Sequence, residues 1–291
     1  MNFRRTFPIF FLFFLGLLSG CDFMSNDKVA APPNQINIAV GEPGQQFEQT
    51  YPGSVVVNRQ PAGLNFYKVV WNSSAKGKVQ INAGKHGFVV PNVMSVVGTE
   101  DEEYKREGMS ELSIVCGLSG QNGISHEAAR DSIHELFEVL RRSGWRATVA
   151  FDDPRLSGKD MLTYYFKSID NPTLDPAHKP SLADWMRIKD LANWEFYADG
   201  IFLRVNFIRD KSHMDLEKPG YYILNIVLKS DAEYFKGLVG PDNREQWIER
   251  LPSELKDLAE RRRRKEDELS KLGMSINKNY VDPPLPAAVL K

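Results

Sequence analysis

"SHEAARDSIHELFEVLRRSGW", residues 125–145, is where the hydrophobic period of the chain changes. Its apolar positions fall at Ala129, Ile133, Leu136, Phe137 and Leu140, spaced by three and four. That spacing lines one face of an amphipathic helix. Ser125 supplies an N-cap oxygen ahead of the acidic residues of the first turns. Gly144 stops the helix after the basic pair Arg141 and Arg142. The stretch therefore separates a β-rich half from a half in which helices and strands mix.

Upstream, short β-rich runs are punctuated by Gly, Pro and Asn. They are "SVVV" (54–57), "LNFYKVVW" (64–71), "KVQI" (78–81), "GFVV" (87–90) and "SELSIVCG" (110–117). The charged stretch 99–108 reads as an exposed connection or a short helix. Downstream, "WRATVAF" (145–151) reads as a strand, and helices are expected over 156–166 and after the N-cap Ser181. "GIFLRVNFI" (200–208) and "YYILNIVLK" (221–229) are long and apolar enough to be central strands covered on both faces. Asp199-Gly200 marks a tight hairpin turn before the first of them. The last helical stretch contains Pro252, which is expected to kink or divide it.

The pattern predicts an α+β fold: one or more mixed or antiparallel sheets with packed helices, and a division into two αβ lobes is compatible with it. The segments are a leader (1–20), a flexible tether (21–35), a β-rich lobe (36–122), an α/β lobe (123–240), and charged C-terminal helices with a Pro-rich tail (241–291). With 42% apolar and 11% aromatic residues, the chain can bury a sizeable core. Roughly 270 residues after the leader fit one large domain or two smaller ones.

The leader carries the most specific signal. Arg4 and Arg5 precede an apolar run, Pro8 to Leu18, of about eleven residues. That suits a signal peptide and falls short of a spanning helix. It closes on Leu18-Ser19-Gly20-Cys21, which resembles the bacterial lipobox. The resemblance implies cleavage before Cys21, lipidation of its thiol and acylation of the new N-terminus. The protein is then expected in the bacterial envelope, facing the periplasm. Asp22 mildly favours the inner membrane. The leader removes two of 37 basic residues, leaving 35 against 38 acidic ones. A net charge near −3 argues against non-specific nucleic-acid binding.

Several chemical motifs are approached without being met. Around Ser119, "CGLSGQNG" has Gly117 two residues before the serine but Gln121 two after it, so the strained G-x-S-x-G elbow is incomplete. A hydrolase using Ser119, with His126 or His134 as base, or a His/Asp set is the less favoured reading. "HEAAR" and "HELFE" put Arg130 and Glu138 where H-E-x-x-H needs a second histidine. His126 and His134 are therefore read as part of a solvated, ion-paired helix face. Cys116, alone once Cys21 is lipidated, reads as a buried small hydrophobe. No phosphate-binding fingerprint or C-x-x-C occurs, and no metal, cofactor or catalytic residue is assigned.

Two charged stretches are the candidate partner-binding surfaces. The first is the long connection 209–220, with Arg209, Asp210, Lys211, His213, Asp215 and Glu217; it exceeds the usual hairpin length. The second is the basic run Arg261, Arg262, Arg263 and Arg264. Its charges go all round a helix, so only Leu258, Leu269 and Leu272 are left to pack. The aromatics Trp185, Trp194, Phe196, Tyr197 and Phe202 read mainly as core. Leader, size and α+β pattern, with words such as "SLADWM" and "NWEFYADGIFLRVNFIRD", resemble immunity lipoproteins paired with type VI secretion phospholipase effectors. The resemblance implies a tethered, non-enzymatic binding protein that inhibits a cognate toxin. An envelope or secretion-system adaptor is the alternative.

Overall fold

In the computed structural model, residues 30–72, 75–118, 120 and 122–289 are described. The β-branched runs become the strands of one sheet. They are β1 (Gln35–Ile38), β2 (Val56–Arg59), β3 (Leu64–Val70), β4 (Gly77–Ile81), β5 (Phe88–Asp101) and β6 (Met109–Gly117). After the helical stretch come β7 (Arg146–Thr148), β8 (Trp194–Ala198), β9 (Ile201–Arg209) and β10 (Tyr222–Ser230). The order is β1-β4-β5-β6-β10-β9-β8-β7, with β3 also on β5 and β2 on β3. Among the described residues only β1 and β4 pair in parallel, so the sheet is mixed and the fold is α+β. Two lobes find no support in this sheet, because β6 of the first half pairs with β10 of the second from Gly117–Ile223 to Glu111–Lys229.

Helix α2 (His126–Arg142) forms as its capping residues direct: Ser125 Oγ accepts from the Ala128 N–H, and Gly144 sits at φ +84° beyond the last turn. Ala129, Ile133, Phe137 and Leu140 are fully buried against the sheet. Phe137 packs on Trp194 and Phe196, at 5.3 and 5.5 Å between ring centroids. Truncating such a side chain costs about 3–5 kcal/mol. With α2, the helices α1 (Gly44–Thr50), α3 (Gly158–Lys167) and α4 (Leu182–Arg187) contribute to the main core. A second, smaller core around Phe202 and Phe235 lies under α5 (Asp231–Val239) and α6 (Trp247–Lys271). No helix among the described residues is long and apolar enough to cross a membrane.

Turns far apart in the strand order meet. His86, in the turn before β5, contacts the Ser143 carbonyl at the end of α2 and the Asp199 carboxylate of the β8–β9 turn, at 2.6 and 3.1 Å. Asp199 and Gly200 both have positive φ, as the tight hairpin turn requires.

Four expectations change. Residues 99–101 belong to β5, and only Lys105–Glu107 form a 3-10 turn. The fold reaches back into the expected tether: the Ala30 N–H bonds the Gly53 carbonyl, and Trp71 Nε1 bonds that of Pro33. Pro252 lies inside an unbroken α6; so near the helix start, its missing N–H costs a single intrahelical bond. Finally, β10 is covered on one face only, with Ile223 exposed and Asn225, Val227 and Lys229 half-buried on the other.

Candidate protein-docking site

The connection from β9 to β10 is a built structure. Asp210 folds its first turn, with Oδ1 accepting from the backbone and hydroxyl of Ser212 at 2.9 and 2.7 Å and Oδ2 meeting His213 Nδ1 at 2.8 Å. Asp215 folds the second, accepting from the Glu217 N–H at 3.1 Å and pairing with Lys218 Nζ at 3.0 Å. These side-chain turns are the usual local role of Asp. They hold both carboxyls below the ordinary range, led by the Ser212 hydroxyl for Asp210 and by Lys218 for Asp215.

A buried network ties the loop to the fold. His126, 1% exposed at the start of α2, donates from Nε2 to the Asp215 carbonyl at 3.2 Å. Its Nδ1 meets the Tyr222 hydroxyl, which also receives Trp185 Nε1 at 3.4 Å. Ile124 and Gly220 exchange two backbone bonds, at 2.9 and 2.8 Å. Position 220 tolerates only glycine, since a Cβ there would stand 2.7 Å from the His126 ring.

At the strand end beneath, the structure takes Arg209 out of the surface set. Only 5% exposed, it donates to the carbonyls of Trp185 and Ile188, at 3.2 and 2.8 Å, and to that of Met186. Its guanidinium lies 4.7 Å from the Phe207 ring centroid. Burial pulls its pKa down. It caps the carbonyl end of α4 and supports the loop from below.

Beside the loop, the ends of β5, β6, β9 and β10 enclose an open cleft of about 930 Å³, walled by Met94, Leu118, Ile208, Tyr221 and Ile223 with Asp210. Ile208, Met214, Leu216, Tyr221 and Ile223 are 36–52% exposed. Apolar side chains of this size gathered on one loop and cleft mark an interaction surface. The charges predicted there, Asp210, Lys211, His213, Asp215 and Glu217, are all exposed and frame it.

The basic run of α6 is placed differently. Arg262 is 7% exposed, clamps Asp282 at 2.6 and 2.9 Å, and donates to the carbonyls of Asp153 and Ala150. Arg261 pairs with Glu254 and Asp152. Arg263 pairs with Asp267 on its own helix, while Arg264 makes no ion pair among the described residues. The run is therefore largely an intramolecular dock. Arg262 packs where the sequence reading allowed only leucines, and Leu272 is 73% exposed.

Ser119 and Cys21 lie outside the described residues. Cys116 is buried, its thiol pushed by burial up to about 12. The His126–His134 face of α2 is covered rather than solvated, because the 179–185 segment lies on it: Arg130 donates to the Pro180 carbonyl and Lys179 pairs with Asp131. His134 keeps a buried Nε2 without a hydrogen-bond partner among the described residues. Burial, then Lys179 and Arg130, brings its pKa down to about 4. Among the described residues no three His, Cys, Asp or Glu side chains gather as a metal site. The anchoring roles of Tyr222, Trp185 and Gly220 depend on residues far away in sequence, 96 positions for Tyr222 with His126 and 37 for Trp185 with Tyr222, and no local pattern signals such contacts. Compared with protein families, curated proteins and solved structures, the chain finds no match.

Proposed function

We propose that this chain is a lipid-anchored, periplasm-facing binding protein that neutralises a cognate secreted toxin by direct contact. The observation that carries the reading is the 208–223 surface: exposed apolar side chains on a charged loop, locked in place by His126, Tyr222 and Gly220. A rigid, partly apolar surface loses little entropy on binding, which favours tight association. Anchoring through Cys21 raises its effective concentration at the surface such a toxin attacks. The leader's resemblance to a lipobox supports the anchor, and the incomplete motifs around Ser119 and His134 favour binding over catalysis.

The test is affinity capture from the native bacterium with residues 22–291 as bait, followed by assay of the captured protein. Recovery of a toxic enzyme whose activity the bait abolishes supports the reading. Recovery of envelope machinery shifts it to an adaptor and overturns the inhibitor role. Leu216→Asp with Met214→Asp should weaken the captured complex by more than about tenfold, the effect of losing ~1.4 kcal/mol at a hot spot. Both side chains are exposed, so the melting temperature should not move. An unchanged affinity places the contact elsewhere.

A further inference from the structure

Among the described residues the sheet has three free edges, and two are sealed. On β1 the outward backbone groups of Asn37 meet the Tyr51 hydroxyl, its N–H at 2.7 Å and its carbonyl at 3.3 Å, while the Ala39 N–H meets Glu42 Oε2. At β7 the Tyr280 hydroxyl accepts from the Val149 N–H at 3.1 Å, and Arg146 bonds the carbonyls of Val281 and Asp282. Such plugs are the usual defence of an edge strand.

The third edge, β2, has none. The Gln60 N–H bonds the Leu64 carbonyl at the hairpin turn, and Asn58 and Val56 face Phe66 and Lys68. Alternation in an antiparallel ladder then directs the backbone of Asn58 and Val56 inward, and that of Val57 and Arg59 outward. Neither outward pair of N–H and carbonyl has a partner among the described residues. The side chains suit a visitor too. Val56 is 46% exposed, Lys68 beside it is exposed with no ion pair among the described residues, and Arg59 holds only a 3.9 Å surface pair with Glu48.

We propose that β2 takes an extended segment of a partner protein by strand addition, carrying apolar side chains alternating with carboxylates. The outward N–H and carbonyl groups of Val57 and Arg59 supply the ladder. Val56 supplies apolar contact on one face, and Arg59, on the opposite face, selects acidic side chains. This contact is independent of the 208–223 surface and of what binds there.

The test begins with amide exchange by NMR on the full-length protein. The Val57 and Arg59 amides exchange fast, while those of Val56 and Asn58 are protected. Protection of all four in dilute protein means the edge is already covered and overturns the proposal. Protection that grows with protein concentration assigns the edge to a second copy, which also overturns it. Random linear peptides displayed on phage are then selected on the same protein. Alternating apolar and acidic sequences that slow exchange at Val57 and Arg59 are the expected result. Val57→Pro removes an outward donor and no ladder bond, and should weaken the selected peptides at least tenfold. Val56→Glu leaves the backbone intact and should weaken them similarly by setting a charge against their apolar face. Peptides that bind both variants as well as the unaltered protein would refute strand addition here.

Discussion

Cys116 faces the helices from β6, between Ile114 and Leu118, and burial pushes its thiol up to about 12. At pH 8 the folded protein should be alkylated about a thousandfold more slowly than the unfolded chain, whose thiol titrates near 8.5. Equal labelling rates would show that β6 is not buried as described. His134 gives a pH signature. Its folded pKa of about 4 lies below the unfolded value near 6.5, so the native state takes up this proton less readily. Stability present above pH 6.5 is therefore lost as pH falls toward 4. Asp153, raised by burial to about 6, tilts the other way: its contribution is lost as pH rises from about 4 through 6. The difference between unaltered protein and His134→Leu isolates the histidine, and the variant should gain relative stability between pH 6.5 and 4 in denaturant titrations. A constant difference across that range would contradict the buried ring. Burial of Cys116 was legible in the alternating strand around it. Burial of His134 was not, because its cover, the 179–185 segment, is supplied by sequence far from α2.

At the scale of elements, α6 separates charges that look alike in sequence. Arg262→Ala leaves Asp282, whose side chain is 36% exposed, unpaired and frees two carbonyl acceptors, and should cost about 1–3 kcal/mol. Arg263→Ala and Arg264→Ala should stay within about 0.5 kcal/mol. Comparable losses for all three, measured by urea unfolding, would contradict the described dock. The helix itself was readable from its period, but which of four arginines turns inward depends on where Asp282 and the 150–153 carbonyls arrive. Strand β5 shows a similar limit. Pro91 and Asn92 read as an end to the strand, yet Asn92 adopts φ +55° beside a register shift and the ladder resumes at Val93 and Ser95. A bulge accommodates both residues within one long strand, whereas helix α2, closed by local caps, carried its boundaries in its own residues.

Across the whole molecule, the segment after α6 acts as a strap. Met274, Ile276 and Tyr280 pack on the main core, and Leu285 and Val289 on the smaller one. Deleting residues 274–291 uncovers both and leaves Arg262 unpaired, and should lower the melting temperature by about 5–15 °C. An unchanged melting curve would mean the strap contributes nothing. The α+β class was legible because strand and helix periods differ, whereas the joining of both halves through β6 and β10 was not, since pairing partners leave no periodicity in either strand. That pairing has a kinetic consequence. The middle of the sheet cannot close until residue 230 is available, ~100 positions after β6, so loop-closure entropy is met before the contacts that offset it, and folding is slow. A chain emerging N-terminus first can pair β1 to β6 among themselves, but it carries β6 as an open edge until β10 arrives to cover it.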